Sequence, residues 1–449
     1  MQNCKIRMDF DTVIGRIKPM HAVNRVPCVP YDAHANNLFD KLAEAGVPYA
    51  RLHDVGGQYG GAHYVDISNV FPSFDADEND PASYDFTFTD RLLNELAGRG
   101  IKPFYRLGQT IENYQHIKPY HIYPPADFHK WARICEHIVR HYNEGWADGF
   151  HMDIRYWEIW NEPDNQPDVK DNPMWKGTEE QFFELYDVTS RHLKACFPEL
   201  RIGGYGSCGF YALTGADCSA IAHSSPRKEY FIGFMERFLD YAAAHGSVID
   251  FFSWHSYASN KDNVRYAAYA RRRMNEAGYP DCEIFLNEWN PGIALRGSQM
   301  DAANILSGMC CMQNTPTDMC MYYDAQMVSP YCGLFDPVKH DVFNAYYAFY
   351  LFGRLYALQK QTVCEVLQGE GTEPVPEVFA LAASDGKTRA VLIVNSTGEP
   401  VRAELCLHGA AKESVRVLAV DEEHRCEPVS EKADALTLPP YGIRYIEYI

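Results

Sequence analysis

The chain has 449 residues, 46% of them hydrophobic and 22% charged, and a formal net charge of −19. This composition argues against disorder, and the length suits one catalytic-sized domain of roughly 250 to 350 residues with a small appendage. The excess of acid repels phosphate backbones and anionic lipid surfaces, so a neutral small ligand is expected, with no nucleic-acid and no membrane partner.

The opening residues, Met1 to Asp9, carry no apolar run of the kind a signal peptide needs, and no later stretch approaches the about 18 apolar residues of a membrane helix. Cysteines number 14 without C-x-x-C spacing, and several sit in apolar surroundings, as at Cys310-Cys311. Reduced thiols in a cytoplasmic protein are the expectation, with the Asn395-Ser396-Thr397 sequon unmodified.

From His34 to Leu358 short β-type runs alternate with longer helical patterns. Strands are predicted at Val13 to His21, Tyr49 to Val55, Ile101 to Leu107, Arg155 to Trp160, Arg201 to Tyr205, Asp250 to Tyr257, Glu283 to Asn287 and Asp318 to Tyr323. Helices are predicted between and after them, at His34 to Ala45, Phe88 to Gly98, Asp127 to Tyr142, Glu179 to Cys196, Glu229 to Ala244, Val264 to Ala277, Asp301 to Met312 and Val342 to Leu358. Strands each followed by a helix read as an α/β fold, a (β/α)8 TIM barrel over residues 11–358. After Gln359 the texture changes to short alternating strands with turns such as Ser384-Asp385-Gly386-Lys387. Residues 359–449 are therefore predicted to form a small C-terminal β-sandwich, which residues 1–10 join as a further strand. The long loop Gly56 to Phe86, rich in Gly, Asp, Ser and Pro, follows the second strand and belongs to the catalytic face.

Two stretches carry the chemistry. Arg155 to Trp160 is an apolar run that ends in Asn161-Glu162-Pro163, and Glu283 to Leu286 ends in Asn287-Glu288-Trp289. The glutamates are 288 − 162 = 126 residues apart, yet the fourth and seventh strands of a barrel present both at one mouth. A carboxylate pair about 5 to 5.5 Å apart performs retaining glycoside hydrolysis, so Glu162 is expected as acid/base and Glu288 as nucleophile, with Glu162 protonated and Glu288 charged at rest. Asn161 can bond a sugar 2-hydroxyl only if the strand ends or bulges there, which Pro163 favours. On the sixth strand His255 and Tyr257 share one face and look into the mouth, with Tyr257 placed to donate to Glu288. Arg51 and His53, beside Asp54, form a similar pair for a sugar or carboxylate contact. Glu158 lies mid-strand and is expected to be paired in the interior. Gly204-Tyr205-Gly206-Ser207-Cys208-Gly209 matches G-x-G-x-x-G, but no helix opens at once and no ribose partner follows. With no H-E-x-x-H and no ligand spacing among the histidines, neither a cofactor nor a metal is expected.

These residues resemble glycoside hydrolase family 39, the family of β-xylosidases and α-L-iduronidases. The likeness rests on Trp157 to Pro163, on Tyr84 to Arg91 leading to Gly100 to Phe104, on Phe183 to Thr189, and on Leu286 to Trp289. It implies a retaining β-xylosidase-like exo-glycosidase acting on a neutral oligosaccharide, in a chain that self-associates. It also implies Glu162 as acid/base, Glu288 as nucleophile, and His53, Asn161, His255 and Tyr257 lining the first sugar subsite. The family's eighth strand carries a tryptophan beneath the sugar and a carboxylate further along. Here that strand reads Met319 to Gln326, which leaves Tyr323 as the replacement ring and Asp324 as the replacement hydroxyl partner. Competing readings are an α-L-arabinosidase, β-galactosidase or β-glucosidase on the same machinery, or a catalytically silent carbohydrate-binding barrel.

Overall fold

In the computed structural model, which describes residues 2–30, 37–57, 61, 63–111, 120–216, 226–368, 377–409, 415–431 and 435–448, eight parallel strands close into a barrel. They are Ala22–Asn24, Tyr49–Leu52, Lys102–Leu107, Tyr156–Ile159, Arg201–Ser207, Phe251–Ser256, Glu283–Trp289 and Met319–Tyr323, numbered first to eighth below. The helices expected between them are present as Leu38–Glu44, Thr87–Ala97, Phe128–Asn143, Glu179–Cys196, Arg227–His245, Asn260–Glu276, Gln299–Gln313 and Asn344–Ala357. The start of the expected helix at His34 lies outside the described residues. Polar caps set the helix starts. Thr178 accepts from the Gln181 backbone while the Gln181 side chain returns to the Thr178 backbone, and Asp127 and Ser259 cap two others.

The first barrel strand is a correction. Val13 to His21 was expected, but the barrel uses Ala22–Asn24, which pairs with the second strand through Val23 and Ala50 and with the eighth through Val23 and Tyr322. Val13 to Arg16 instead ends the long strand Gln2–Arg16, whose ladder runs antiparallel to Lys360–Gln368. The apolar Val13 and Ile14 suggest a buried strand, yet they are 53% and 57% exposed beside a register shift. A three-residue strand is too short for a periodicity to reveal.

Gln2–Arg16 also pairs in parallel with Val401–His408, inside one nine-stranded sheet with the C-terminal strands. The sheet curls round its own core, with Ile6, Met8, Val391, Ile393, Ala403 and Ile446 facing inward. The alternate residues Ala390, Leu392, Val394 and Tyr445 join the barrel's core instead. Period-two alternation thus lets one strand serve two hydrophobic layers. Polar ties reinforce this contact: Arg354 reaches Glu447 at 2.5 Å, and Gln299 donates to the carbonyls of Val420 and Tyr441.

Inside the barrel the same alternation builds tiers. At the strand starts Phe104, Tyr156, Phe251 and Phe285 form an aromatic plug with Met319 and Met321. Phe285 has ring centroids 5.1 Å from Phe251, 5.4 Å from Tyr156 and 5.8 Å from Phe104. The plug closes the lower end, so the polar residues two positions further along each strand face only the upper mouth. We expect Phe285→Ala to cost about 3–5 kcal/mol, measured by urea denaturation. A loss under about 1 kcal/mol would show that the plug does not close the barrel.

Candidate active site

Two residues past the plug, the inward side chains turn polar. Arg51, Glu158, Ser253 and Asn287 meet at the centre of the barrel, all buried. Glu158 accepts from Arg51 Nε at 2.7 Å, from Ser253 Oγ at 2.6 Å and from Asn287 Nδ2 at 2.6 Å. This is the paired interior role expected for Glu158. Burying that carboxylate would be costly without these partners, because a lone charge loses far more solvation than packing returns.

One step higher the backbone departs from regular strand. The fourth strand ends at Ile159, and Trp160 and Glu162 take left-handed φ values of 73° and 46°. The turn breaks the alternation that would have sent Asn161 and Glu162 to opposite faces. Trp160 is anchored by its indole N–H, which donates to the Met174 carbonyl, and by an edge-on contact with Trp175. The Glu162 N–H is held by the carbonyls of Tyr205 and Gly206. On the seventh strand the device differs. The strand does not stop at Asn287 but runs on to Trp289, and a bulge pairs Trp254 with Leu286 but His255 with Glu288. The extra residue lets Asn287 and Glu288 both turn inward.

His255 joins the two glutamates. Its Nδ1 lies 2.7 Å from Glu162 Oε1 and 3.8 Å from Glu288 Oε2, and the nearest oxygens of the two carboxylates are within 4.8 Å of one another. Tyr257 donates to Glu288 Oε1 at 2.7 Å, while Glu288 Oε2 receives Arg51 Nη1 and Asn24 Nδ2, each at 3.3 Å. Glu162 Oε2 accepts from Asn165 Nδ2 at 2.8 Å, and Arg227 holds Asn165 through its carbonyl and side-chain oxygens. Arg51 Nη2 donates to Asn161 Oδ1 at 2.6 Å. Arg51, expected to meet a sugar or a carboxylate, has no exposed side-chain surface and binds the carboxylates of Glu158 and Glu288 together with Asn161, so it positions these groups.

The electrostatics reverse the expected order of the carboxyls. Burial pushes Glu162 up, but the hydrogen bond and charge of His255 and the Asn165 amide outweigh it and hold Glu162 below the usual glutamate range. Burial leads at Glu288 too. There the Glu162 charge adds to it, and His255, Arg51 and Tyr257 offset only part, leaving Glu288 above the usual range. For His255, burial opposes the imidazolium, yet the two glutamates prevail and its pKa rises. His255 Nδ1 thus faces both glutamates, each of which favours the imidazolium, a partnership that strand alternation alone does not announce.

Across the mouth, His53 is buried and held neutral chiefly by burial, with Arg51 and Arg106 adding to the effect. Tyr323 donates to Asp54 Oδ2 at 2.9 Å and packs edgewise on Tyr331. Asp324, expected to take a sugar hydroxyl, has no exposed side-chain surface. It accepts from Arg25, Ser329 and the Gln326 backbone, and burial lifts it to about 7. The glycine-rich match has a local explanation: a Cβ on Gly206 would stand 3.0 Å from His255 Nε2 and 3.1 Å from Arg51 Nη2, so a larger residue would crowd both side chains. Besides the glutamates with His255, three groupings among the described residues have metal-ligand atoms close together: His63 with Asp66 and His121, Glu136 with His192 and Cys196, and, largely at the surface, Asp9 with Asp11 and His408. In the first two the carboxylate already pairs with an arginine, Asp66 with Arg106 at 2.7 Å and Glu136 with Arg140 at 2.8 Å, which works against a second cation. Asn24, Asn165, Arg227 and Ser253 went unnoticed in the sequence. Of these, only Ser253 carried a signal, two residues before His255 on the same face.

The family model for glycosyl hydrolases family 39 matches residues 58–347. A second model, the C-terminal immunoglobulin-like domain of D-apionate lactonase, matches residues 376–446. A β-xylosidase of Geobacillus stearothermophilus is 27% identical over 198 residues, 41% of this chain and 33% of that protein. A β-xylosidase of Caldicellulosiruptor saccharolyticus is 25% identical over 365 residues, 73% of this chain and 65% of that protein. The chain thus matches from a third to just under two thirds of the length of these curated relatives. Among solved structures, a glucosidase from Croceicoccus marinus superposes with a TM-score of 0.74 at 22% identity, covering 100% of this chain and 99% of that one. A monomeric β-xylosidase from Caulobacter crescentus CB15 gives 0.67 at 18% identity, with 100% and 99% covered. These structures share the fold, and with most of the barrel matched by the family model, the chain belongs to glycosyl hydrolases family 39.

Proposed function

We propose that the protein is a retaining exo-glycosidase, β-xylosidase-like, that releases a terminal sugar from a neutral oligosaccharide by double displacement. The observation that carries this reading is the approach of Glu162 and Glu288 to within 4.8 Å at their nearest oxygens. Both carboxylates flank one imidazole nitrogen, at 2.7 and 3.8 Å from His255 Nδ1, a close pairing in keeping with direct attack on the anomeric carbon rather than with a water held between the two. Glu288 attacks, and Glu162 protonates the departing oxygen. The proton reaches Glu162 along the 2.7 Å bond from His255, and glycosylation of Glu288 removes a negative charge and frees Glu162 to act as base on the incoming water. Tyr257 and Arg51 orient the nucleophile, and Asn161 stands where a 2-hydroxyl would lie.

Other features support the finer points. The side chains of Glu162 and Glu288 are only 14% and 9% exposed, which favours entry of a chain end over binding along an open cleft. The xylose preference is supported by the curated relatives, both β-xylosidases. Buried free thiols at Cys135, Cys310 and Cys320 are in keeping with a reducing cytoplasm.

A panel of aryl glycosides tests the activity. Wild type is expected to cleave a β-xyloside fastest, and no turnover of any pentoside or hexoside would overturn the enzyme reading. Added azide assigns the carboxyls: Glu288→Ala should yield an inverted glycosyl azide and Glu162→Ala a retained one, with Glu162→Ala about 10²- to 10⁴-fold slower than wild type on substrates whose leaving group needs protonation. Exchanged azide stereochemistry would reverse the assignment. The pH profile tests His255. Because its pKa is raised, the shared proton is lost only above the ordinary imidazole value of about 6.5. The alkaline limb of kcat/KM should lie above that value and move to lower pH in His255→Asn. An unmoved limb would contradict the shared-proton assignment.

A further inference from the structure

Three carboxylates around the mouth are sealed. The side chains of Glu158, Asp66 and Asp324 have 0% exposure. Three keep a little: Glu162 at 14%, Glu288 at 9% and Asp54 at 11%. The first two are taken up by the proposed reaction, which leaves Asp54 without a role. Its backbone is in the left-handed region at φ 53°, a conformation that costs energy for a residue other than glycine and that collects at functional sites. A carboxylate has about four acceptor positions. Among the described residues, the one hydrogen bond to this side chain is from the Tyr323 hydroxyl, and Oδ1 has none, with His53 Nε2 3.3 Å away.

The position of Asp54 follows from the rings beside it. Glu288 is held by Tyr257, whose ring centroid is 5.8 Å from Tyr331, which in turn is 5.2 Å from Tyr323. Tyr323 then holds Asp54. An aromatic wall therefore runs between two carboxylates, the nucleophile at one end and Asp54 at the other. Such a wall suits the apolar face of a sugar ring, with hydroxyls reaching the polar groups at its ends. We propose that Asp54 is a specificity-determining residue that accepts a hydroxyl of the terminal sugar at C3 or C4, remote from the reacting carbon. This rests on the glycosidase reading above and identifies what chooses the sugar once Asp324 is taken up by Arg25 and Ser329.

The test pairs protein and substrate deletions. Wild type, Asp54→Gly and Asp54→Asn are assayed on the best aryl glycoside and on its 2-, 3- and 4-deoxy analogues. Glycine suits the left-handed backbone, asparagine keeps the shape, and thermal melting checks that both variants fold. On the parent sugar Asp54→Gly should lose about 10- to 100-fold in kcat/KM, the worth of a hydrogen bond to a charged group. On the 3- or the 4-deoxy analogue the loss should shrink to less than about threefold, because the partner hydroxyl is already gone. An equal loss on every analogue, or a loss that vanishes only with the 2-deoxy sugar, would overturn the assignment while leaving the glycosidase reading intact. No hydrolysis by wild type would overturn both.

Discussion

Everything in the mouth depends on one buried guanidinium. Arg51 has no contact with solvent, and its nitrogens reach Glu158, Asn161 and Glu288. A planar fork of fixed donors can hold three acceptors in register, two from the fourth strand and the turn that follows it and one from the seventh, which a lysine's point charge cannot do. The charge count explains its necessity. Glu158, Glu162 and Glu288 are buried together, and the groups in direct contact that can oppose them are Arg51 and His255. Beside the Arg51 guanidinium, the imidazole that touches both glutamates is the other group that can carry positive charge, and the glutamates raise its pKa. The proton that the proposed reaction draws on would thus follow from how buried charge must be compensated.

Rigid backbone devices deliver these groups. A regular strand can present only every second residue, yet both Asn-Glu pairs face inward. The fourth strand solves this by stopping and passing through two left-handed residues, the seventh by a bulge. The strained turn at Trp160 and Glu162 is held by buried indoles and by carbonyls of the fifth strand, so the plug below and the helices outside supply the energy that keeps the site in shape. Stability and function are therefore coupled through Trp160, Trp175 and Gly206 rather than through the glutamates themselves.

The sequence made much of this visible, and its failures share a cause. The alternation of strands and helices located seven of the barrel strands, and the period of two placed His255 beside Tyr257 and Arg51 beside His53. What could not be read was anything decided by contact between distant strands. The three-residue first strand has no periodicity of its own. Arg51 reads as a sugar contact until its burial is known. The resting order of the two carboxyls depends on His255, which comes from a different strand than the glutamates it touches, and on Asn165, three residues beyond Glu162 in an irregular turn with no periodicity. Asp324 reads as an available carboxylate until Ser329 and Arg25 are seen to enclose it.

The central claim is that Glu288 is the atom donor of a covalent bond to the sugar while Glu162 and His255 manage the proton. A 2-deoxy-2-fluoro glycoside with a good leaving group slows breakdown of that intermediate, and peptide mass spectrometry after denaturation locates it. The account predicts one sugar added per chain, on Glu288 alone. A label on Glu162, or full hydrolysis without any covalent label under conditions that slow turnover, would contradict it.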